Sequence, residues 1–418
     1  MNDREKKSRF RWWAQFWADL KSGIDPGLLG LARFIGLVYG PIDRQLPIDQ
    51  AARKALGRRL PSYVGWRHAL GGITYLLFIV LIVTGVLLAF YYRPSAQEAY
   101  PSIQHIVSDV PLGWLVRDLH VWSANLIVIA LLAHMARVFF SGTYKPPRET
   151  NWLVGLLLLL VVLGFGLTGY LLPWDQWAYW TTTEMLDAMS GVPVLSIFAA
   201  LLRGDVLVSG ATLSRFFAWH VIILPWAALA LLVFHFSLLR RQGITPPPGV
   251  ERDSAGVPFY PNHLLRAFIV GVLVLAVAFS LAALFPRPVG DPADPFVLPG
   301  ELVSTWIVID VSLALIRYLG VWGFSLFTLL GIAMALLPLF DRHPERRLRR
   351  RPLVLALGVA FFGGFLVLWI AGRQLQSLPP GTDLRSREAA TRVVPGEPPA
   401  DTTGSEDEQE SGEGGEQP

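Results

Sequence analysis

Seven apolar stretches, each about as long as a membrane is thick, alternate with polar segments along the chain. They cover roughly residues 70–92, 115–140, 152–172, 216–239, 264–285, 318–340 and 352–372. Because an α-helix rises about 1.5 Å per residue, about 20 apolar residues cross a hydrocarbon core of roughly 30 Å. The pattern therefore predicts an all-α membrane protein with about seven transmembrane helices.

Two polar segments are too long to be simple turns. Residues 173–215 and 286–317 each predict short helices that lie on the membrane surface. Residues 302–316 are apolar but include Asp310. We therefore expect a surface or re-entrant helix there, not an eighth span.

Basic side chains concentrate in alternate loops. They follow the second, fourth and sixth apolar stretches and also fill the N-terminal segment, whereas the opposite loops are acidic. The positive-inside rule then places the N-terminus in the cytoplasm and the C-terminus outside, as in a multi-pass protein of the cell (inner) membrane.

The two ends of the chain differ in composition from the apolar middle. Residues 1–62 are basic with interleaved Trp and Phe, a pattern typical of an amphipathic helix on an anionic leaflet, or of a partner-binding or partly disordered extension. Residues 374–418 predict a disordered acidic tail. Between them, residues 63–245 hold four apolar stretches and residues 246–373 hold three.

Composition supports a membrane location and limits the metal chemistry. Hydrophobic residues make up 53% of the chain and charged residues 16%, too few charges to cover a soluble surface. The chain has no cysteine, which excludes disulfides, Cys-ligated iron–sulfur clusters and thioether-attached haem made by this chain.

Four histidines lie inside two of the apolar stretches, where ionisable side chains are costly and usually functional. His120 and His134 are 14 residues apart in the second stretch, and His220 and His235 are 15 apart in the fourth. At about 100° per residue, these steps return within roughly 40° and 60° of the same helix face, about 20–23 Å further along the axis. Pairing across two helices gives two bis-histidine sites at different depths.

Bis-imidazole ligation suits a low-spin haem that only transfers electrons, because no coordination position stays open. A zinc site would want a third or fourth ligand at each depth. The alternative is that the histidines merely bond neighbouring helices, which four residues at matched depths disfavour.

Glycines and arginines match the same two depths. Glycines 14 residues apart in the first and third stretches let a flat macrocycle approach the backbone; they are Gly71, Gly85, Gly155 and Gly169. Arg117 and Arg215 precede the first histidine of each pair and could bind haem propionates, or simply snorkel to the interface.

The chain resembles cytochrome b of the quinol-oxidising bc and b–f complexes over about residues 62–373. The resemblance rests on GGITYLLFIVLIVTG, WLVRDLHVWSANL, TGYLLPWDQ, SRFFAWHVIILPW and HFSLLRRQG. The 15-residue histidine spacing is like the photosynthetic b–f type, where four helices form one chain and three more form subunit IV. Here DPADPF and the last three stretches look like subunit IV fused to the first part.

The resemblance implies a function and a set of partners. His120 and His220 would bind a haem near the external face, and His134 and His235 one near the cytoplasmic face, giving two non-covalent haem b groups. Such complexes oxidise quinol, send one electron to a Rieske iron–sulfur protein and a c-type cytochrome, and send the other across the haems to a second quinone site. A homodimer is implied, and no nucleic acid.

Two positions depart from the family pattern. Ala69 stands where the b–f type attaches an extra haem through Cys, so we expect no covalent haem. Thr305, in Ser304-Thr305-Trp306-Ile307, replaces the Glu of the Pro-Glu-Trp-Tyr motif and cannot act as a base near neutral pH. Either Glu301 or Asp310 substitutes for it, or the outer quinone site is altered or inactive.

Three functional hypotheses follow. The first is the di-haem cytochrome b subunit of a quinol:cytochrome c (bc-type) oxidoreductase, an enzyme only with its partner subunits. The second is a di-haem electron-transfer subunit of a different respiratory complex. The third is a non-redox membrane scaffold or transporter.

Overall fold

The structure, a computed structural model, describes residues 50, 56–250, 256–301, 304 and 306–375. The described residues leave out most of the basic extension, Thr305 and the acidic tail from residue 376. The expectations for these segments therefore stay predictions.

The chain is almost entirely helical over the described residues. The first part contains α1 (Leu70–Ala89), α2 (Ala99–Ser108), α3 (Gly113–Phe140), α4 (Glu149–Tyr170), α5 (Gln176–Ser190), α6 (Pro193–Arg203), α7 (Gly210–Ala218) and α8 (Leu224–Gln242). The second part contains α9 (Leu264–Leu284), α10 (Ile307–Leu319), α11 (Val321–Phe340) and α12 (Pro352–Leu375). A two-residue ladder pairs β1 (Arg59–Leu60) with β2 (Val257–Pro258) in antiparallel fashion.

Within the described part of the chain, six helical stretches are long and apolar enough to cross a membrane, which confirms an all-α membrane protein. They are α1, α3, α4, the continuous stretch Gly210–Gln242, Phe259–Leu284 and α12. The sixth predicted stretch falls on α11, which has 20 residues and includes the shorter apolar helix Thr328–Phe340. The basic segments predicted from the sequence lie at or after the ends of α3, α8 and α11.

The connecting segments differ in part from expectation. The short helices predicted for residues 173–215 are present as α5 and α6, whereas α2 was missed. The surface or re-entrant helix expected at 302–316 begins at Ile307 and, with 13 residues, is too short to be a span. Most of its residues are buried, including Leu313 at 0% exposure, because α10 packs along α12.

Helix pairing brings the histidine-bearing helices together with their glycine-bearing neighbours. Helix α1 packs along α3, and α4 packs along α8. Helix α9 packs on α3 through Ala278 and Ala282, both fully buried beside Leu119. Small residues four apart allow such close approach of two membrane helices.

Trp306 fixes the entry to α10. A Cβ built on Gly166 of α4 would overlap the Trp306 ring, so only glycine admits the indole at this point. The next backbone N–H, that of Ile307, donates to Asn125 Oδ1 of α3 at 2.8 Å. The second part of the chain is thereby anchored against α3 and α4.

Candidate haem-binding sites

The first level of the site consists of His120 on α3 and His220, which lies in the π-helical turn Trp219–Ile223 between α7 and α8. The two ring centroids are 6.3 Å apart and the ring planes differ by 64°. Two metal–nitrogen bonds of about 2 Å each, with the ring radii, add to about 6 Å. The separation therefore fits one iron held between the two imidazoles.

The second level consists of His134 on α3 and His235 on α8. These two side chains are close enough to interact electrostatically. The Nδ1 atom of each is buried and has no side-chain hydrogen-bond partner among the described residues. The structure thus brings together all four predicted histidines as two pairs.

Each imidazole faces one of the four predicted glycines, across the α1–α3 and α4–α8 contacts. A side chain in place of any of these glycines would enter the space beside an imidazole, where a flat macrocycle must pass. The distances from a Cβ built on the glycine to the imidazole Cε1 are 3.3 Å for Gly71 and His134, 3.3 Å for Gly85 and His120, 3.9 Å for Gly155 and His235, and 2.6 Å for Gly169 and His220.

The π-helical turn explains why the two histidine spacings differ. In this turn the Leu224 N–H bonds to the Trp219 carbonyl, five residues earlier, and Pro225 follows without an N–H of its own. A π-bulge places one more residue in a turn than an α-helix does. The 15-residue step from His220 to His235 therefore has nearly the reach of the 14-residue step on α3.

Two threonines that the sequence analysis missed contact the first level. Thr84 Oγ1 lies 2.8 Å from His120 Nδ1, and Thr168 Oγ1 lies 3.2 Å from His220 Nδ1. Each immediately precedes a glycine of the site, and this repeated Thr-Gly pair is the signal that could have revealed them.

The two predicted propionate partners make contacts within the protein. The buried Arg117 guanidinium bonds Asp118 at 3.0 Å and the Arg287 carbonyl at 2.7 Å, which ties α3 to the segment after α9. Arg215 donates to the Leu201 carbonyl at 2.7 Å. Their role toward a propionate stays a prediction.

The two predicted substitute acids lie in different surroundings. Glu301 is exposed and lines an open pocket of about 810 Å³, together with Gln176, Trp177, Asp291 and Phe296. The Asp310 side chain is 2% exposed, lies 3.9 Å from Arg373 and accepts a hydrogen bond from Trp369 Nε1 at 3.2 Å. Of the two, only Glu301 borders this pocket.

A further acid near α10 was not singled out from the sequence as functional. Glu184 of α5 pairs with the buried Arg317 of α10 at 3.6 Å.

Among the described residues, no group of three or more His, Asp or Glu side chains could hold a metal ion. The histidine pairs therefore match haem ligation better than ligation of a bare ion.

Paired imidazoles at two depths of a membrane-spanning helical bundle, each beside a glycine, define the class of haem-holding membrane proteins. The family described as Cytochrome b/b6/petB matches residues 56–243. Cytochrome b6 of Synechococcus sp. (strain JA-3-3Ab) and of Acaryochloris marina (strain MBIC 11017) are each 39% identical over 211 residues, which is 50% of this chain and 98% of each relative.

A solved structure described as "Hyperthermophilic respiratory Complex III" is also similar. It superposes with a TM-score of 0.70 at 31% sequence identity, covering 79% of this chain and 90% of that one. The chain belongs to the cytochrome b/b6 family. This confirms the resemblance read from the sequence: the chain is a transmembrane electron-transport protein, and its family implies non-covalent b-type haem.

Proposed function

We propose that this chain is the di-haem cytochrome b subunit of a quinol:cytochrome c (bc-type) oxidoreductase and carries electrons across the membrane between two quinone sites. When bound, each haem supplies an iron that accepts and releases one electron. His120 and His220 would hold one haem, and His134 and His235 the other. The observation that carries the proposal is the pairing of four imidazoles at two levels, each facing a glycine.

The chain's own residues support electron transfer without substrate binding at the iron. Two imidazoles per haem leave no open coordination position. The glycines keep bulky side chains out of the space beside the imidazoles, and all four histidines are half-buried between the helices. The two levels are 14 residues apart along α3, at about 1.5 Å per residue. An electron that moves from one haem to the other therefore crosses most of the bilayer thickness.

Haem counting tests this part of the proposal. Purified wild-type protein should contain about two haem b groups per chain, measured by absorbance after extraction. His134→Ala should retain one, and so should His120→Ala. The matched control is His105→Ala, because His105 is exposed on α2 and pairs with Asp109. One haem or none in the wild-type protein, or two in either site variant, would contradict the proposal.

The orientation, partners and division of the chain belong to the same proposal. We place the N-terminus in the cytoplasm, the His120 level near the external face and the acidic tail outside. A Rieske protein and a c-type cytochrome would accept electrons, and the complex would be a homodimer. Residues 63–245 would form the cytochrome b part and 246–373 the subunit IV-like part. The similarity to a respiratory Complex III structure supports the assignment to a multi-subunit membrane complex.

Glu301 is the better placed of the two candidate proton acceptors for quinol oxidation. It borders an open pocket, whereas the Asp310 carboxylate is occupied by Trp369 and Arg373. Glu301→Gln should therefore lower the quinol oxidation rate more than Asp310→Asn at equal haem content. Unchanged oxidation in the double variant would rule out both acids.

The second candidate function is electron transfer in a different respiratory complex with an altered outer quinone site. The occupied Asp310 carboxylate favours it, since it leaves one fewer acid in place of the missing glutamate. Haem reduction by quinol distinguishes the two. The first function requires rapid reduction with a Rieske partner present, and the second does not.

A further inference from the structure

The two levels differ in which groups contact the Nδ1 atom of each imidazole. At the first level, the buried Thr84 and Thr168 hydroxyls lie 2.8 Å and 3.2 Å from the Nδ1 atoms of His120 and His220. Both threonines are nearly inaccessible, at 4% and 3% exposure. No water is therefore needed to complete these contacts.

The hydroxyl hydrogen of each threonine is already used. Thr84 Oγ1 donates to the Val80 carbonyl at 2.7 Å, and Thr168 Oγ1 donates to the Gly164 carbonyl at 2.7 Å. A hydroxyl has one hydrogen and two acceptor lone pairs. Each oxygen therefore accepts from Nδ1–H of the histidine, which leaves Nε2 unprotonated and free to bind a metal.

The second level lacks this arrangement. The residues before its glycines are Leu70 and Val154, whose side chains cannot accept a hydrogen bond. Correspondingly, the Nδ1 atoms of His134 and His235 are buried, and no side chain of the described residues hydrogen-bonds them; the Asn151 backbone is the polar group beside His235. On α1 and on α4 alike, the glycine of the first level follows a threonine and the glycine of the second level follows an apolar residue.

We propose that Thr84 and Thr168 are positioning residues that fix the tautomer of His120 and His220 and lower the midpoint potential of the haem held there. A hydrogen bond accepted from Nδ1–H raises the basicity of the imidazole toward the metal. A more basic ligand stabilises the ferric over the ferrous state, so the haem becomes harder to reduce. The inference rests on the proposed di-haem function.

Redox titration of the purified protein, followed by absorbance, tests the idea with Thr84→Val and Thr168→Val. Valine keeps the shape and removes the acceptor. We expect the first haem to become easier to reduce by about tenfold in its equilibrium constant, which is about 59 mV for one electron, with the second haem unchanged. The g-values of the ferric first haem should shift as well.

Thr74→Val is the matched control. Its hydroxyl donates to the Gly71 carbonyl at 2.8 Å on the same helix, so the change alters helix α1 without removing a contact to Nδ1. Both potentials should stay at wild-type values. Thr84→Ser should also retain the wild-type potential, because serine restores the hydroxyl.

The outcomes separate this inference from the proposed function. Two retained haems with unshifted potentials in the valine variants would overturn the threonine role and leave the di-haem function standing. A wild-type protein without two haems would overturn both. If the valine variants lose haem, Val154→Thr decides: it should lower the potential of the second haem alone, and an unchanged potential would refute the inference.

Discussion

At the residue scale, the absence of a side chain is as informative as the presence of an imidazole. The four glycines are not equally crowded. A Cβ on Gly169 would lie 2.6 Å from His220 Cε1, whereas one on Gly155 would lie 3.9 Å from His235 Cε1. Because protein interiors are packed to crystal-like density, a methyl group at Gly169 would fit only if the His220 ring moved.

Gly169→Ala should therefore displace His220 and reduce haem retention at the first level. Overpacking of this kind costs about 1–3 kcal/mol. Gly155→Ala, whose Cβ would make only an ordinary contact with His235, is the comparison and should lose less haem from its own level. Haem absorbance and thermal unfolding in detergent measure both. Equal behaviour of the two variants would contradict the crowding argument.

At the element scale, the π-helical turn Trp219–Ile223 compensates for one extra residue between histidines. Helix α3, which carries the other two histidines, is α-helical throughout and has its histidines 14 residues apart. An uncompensated insertion would rotate one imidazole by about 100° away from the bundle. The turn is thus what keeps His220 and His235 on one face.

Deleting one residue should have opposite effects on the two helices. Removing Ile222, which is 54% exposed within the π turn, should yield a regular α-helix with a 14-residue step and leave both haems bound. Removing Ile129, which is 47% exposed on α3, should turn one of its histidines away and lose a haem. Haem counting decides, and loss of haem in the Ile222 deletion would refute the compensation.

Also at the element scale, an ion cluster joins the loop after α3 to the ends of α11 and α12. Asp341 bonds Lys145 at 2.7 Å and Arg351 at 2.6 Å. The side chains are 14%, 3% and 5% exposed, respectively. Removing one partner of such a buried group leaves uncompensated charge.

Asp341→Asn should lower the free energy of unfolding by about 3–5 kcal/mol, because two buried cations lose their counter-charge. Glu345→Gln is the control. It breaks a pair with Arg350, whose side chain is 67% exposed, and exposed pairs contribute about 1 kcal/mol or less. Thermal unfolding in detergent measures both variants. A smaller loss in Asp341→Asn than in Glu345→Gln would contradict a stabilising role for the ion cluster.

The same cluster predicts a pH dependence. Burial raises the pKa of the Asp341 carboxyl, but hydrogen bonds, led by the one from Lys145, outweigh burial and hold the pKa below its usual value. A carboxyl with a depressed folded-state pKa stabilises the fold above the unfolded pKa of about 3.9 and loses that effect as pH falls through the folded value. Wild-type stability should thus fall in acid below about pH 4, more steeply than that of Asp341→Asn.

At the scale of the whole molecule, the part that the family matches, residues 56–243, makes direct contacts with the rest of the chain. The cytochrome b6 relatives match only half of this chain while being covered almost completely themselves. Trp122 Nε1 donates to the Phe285 carbonyl at 2.9 Å, and Trp152 Nε1 donates to the Met334 carbonyl at 2.8 Å. Packing and interhelical hydrogen bonds of this kind hold membrane helices together without a covalent link.

Residues 1–250 and 251–418 expressed as two chains in one cell should therefore assemble and co-purify with both haems. Asn125→Leu in the first piece is the sensitised variant, since it leaves the Ile307 N–H without its acceptor and should weaken recovery of the second piece. Co-purification with an affinity tag on the second piece measures the assembly. If the tagged second piece purifies without the first, the contacts do not suffice.

The sequence by itself determined the membrane class, the approximate position of the apolar helices, the four histidines and the four glycines. Apolar length and helical period are local properties, so residues 70–92 and the 14-residue steps could be read directly. The tertiary structure alone decided that the 15-residue step is corrected by a π turn, that α10 is buried, and that Thr84 and Thr168 reach the imidazoles. Each depends on which helices pack together, because burial and hydrogen bonding between distant residues are not encoded in the periodicity of any single segment.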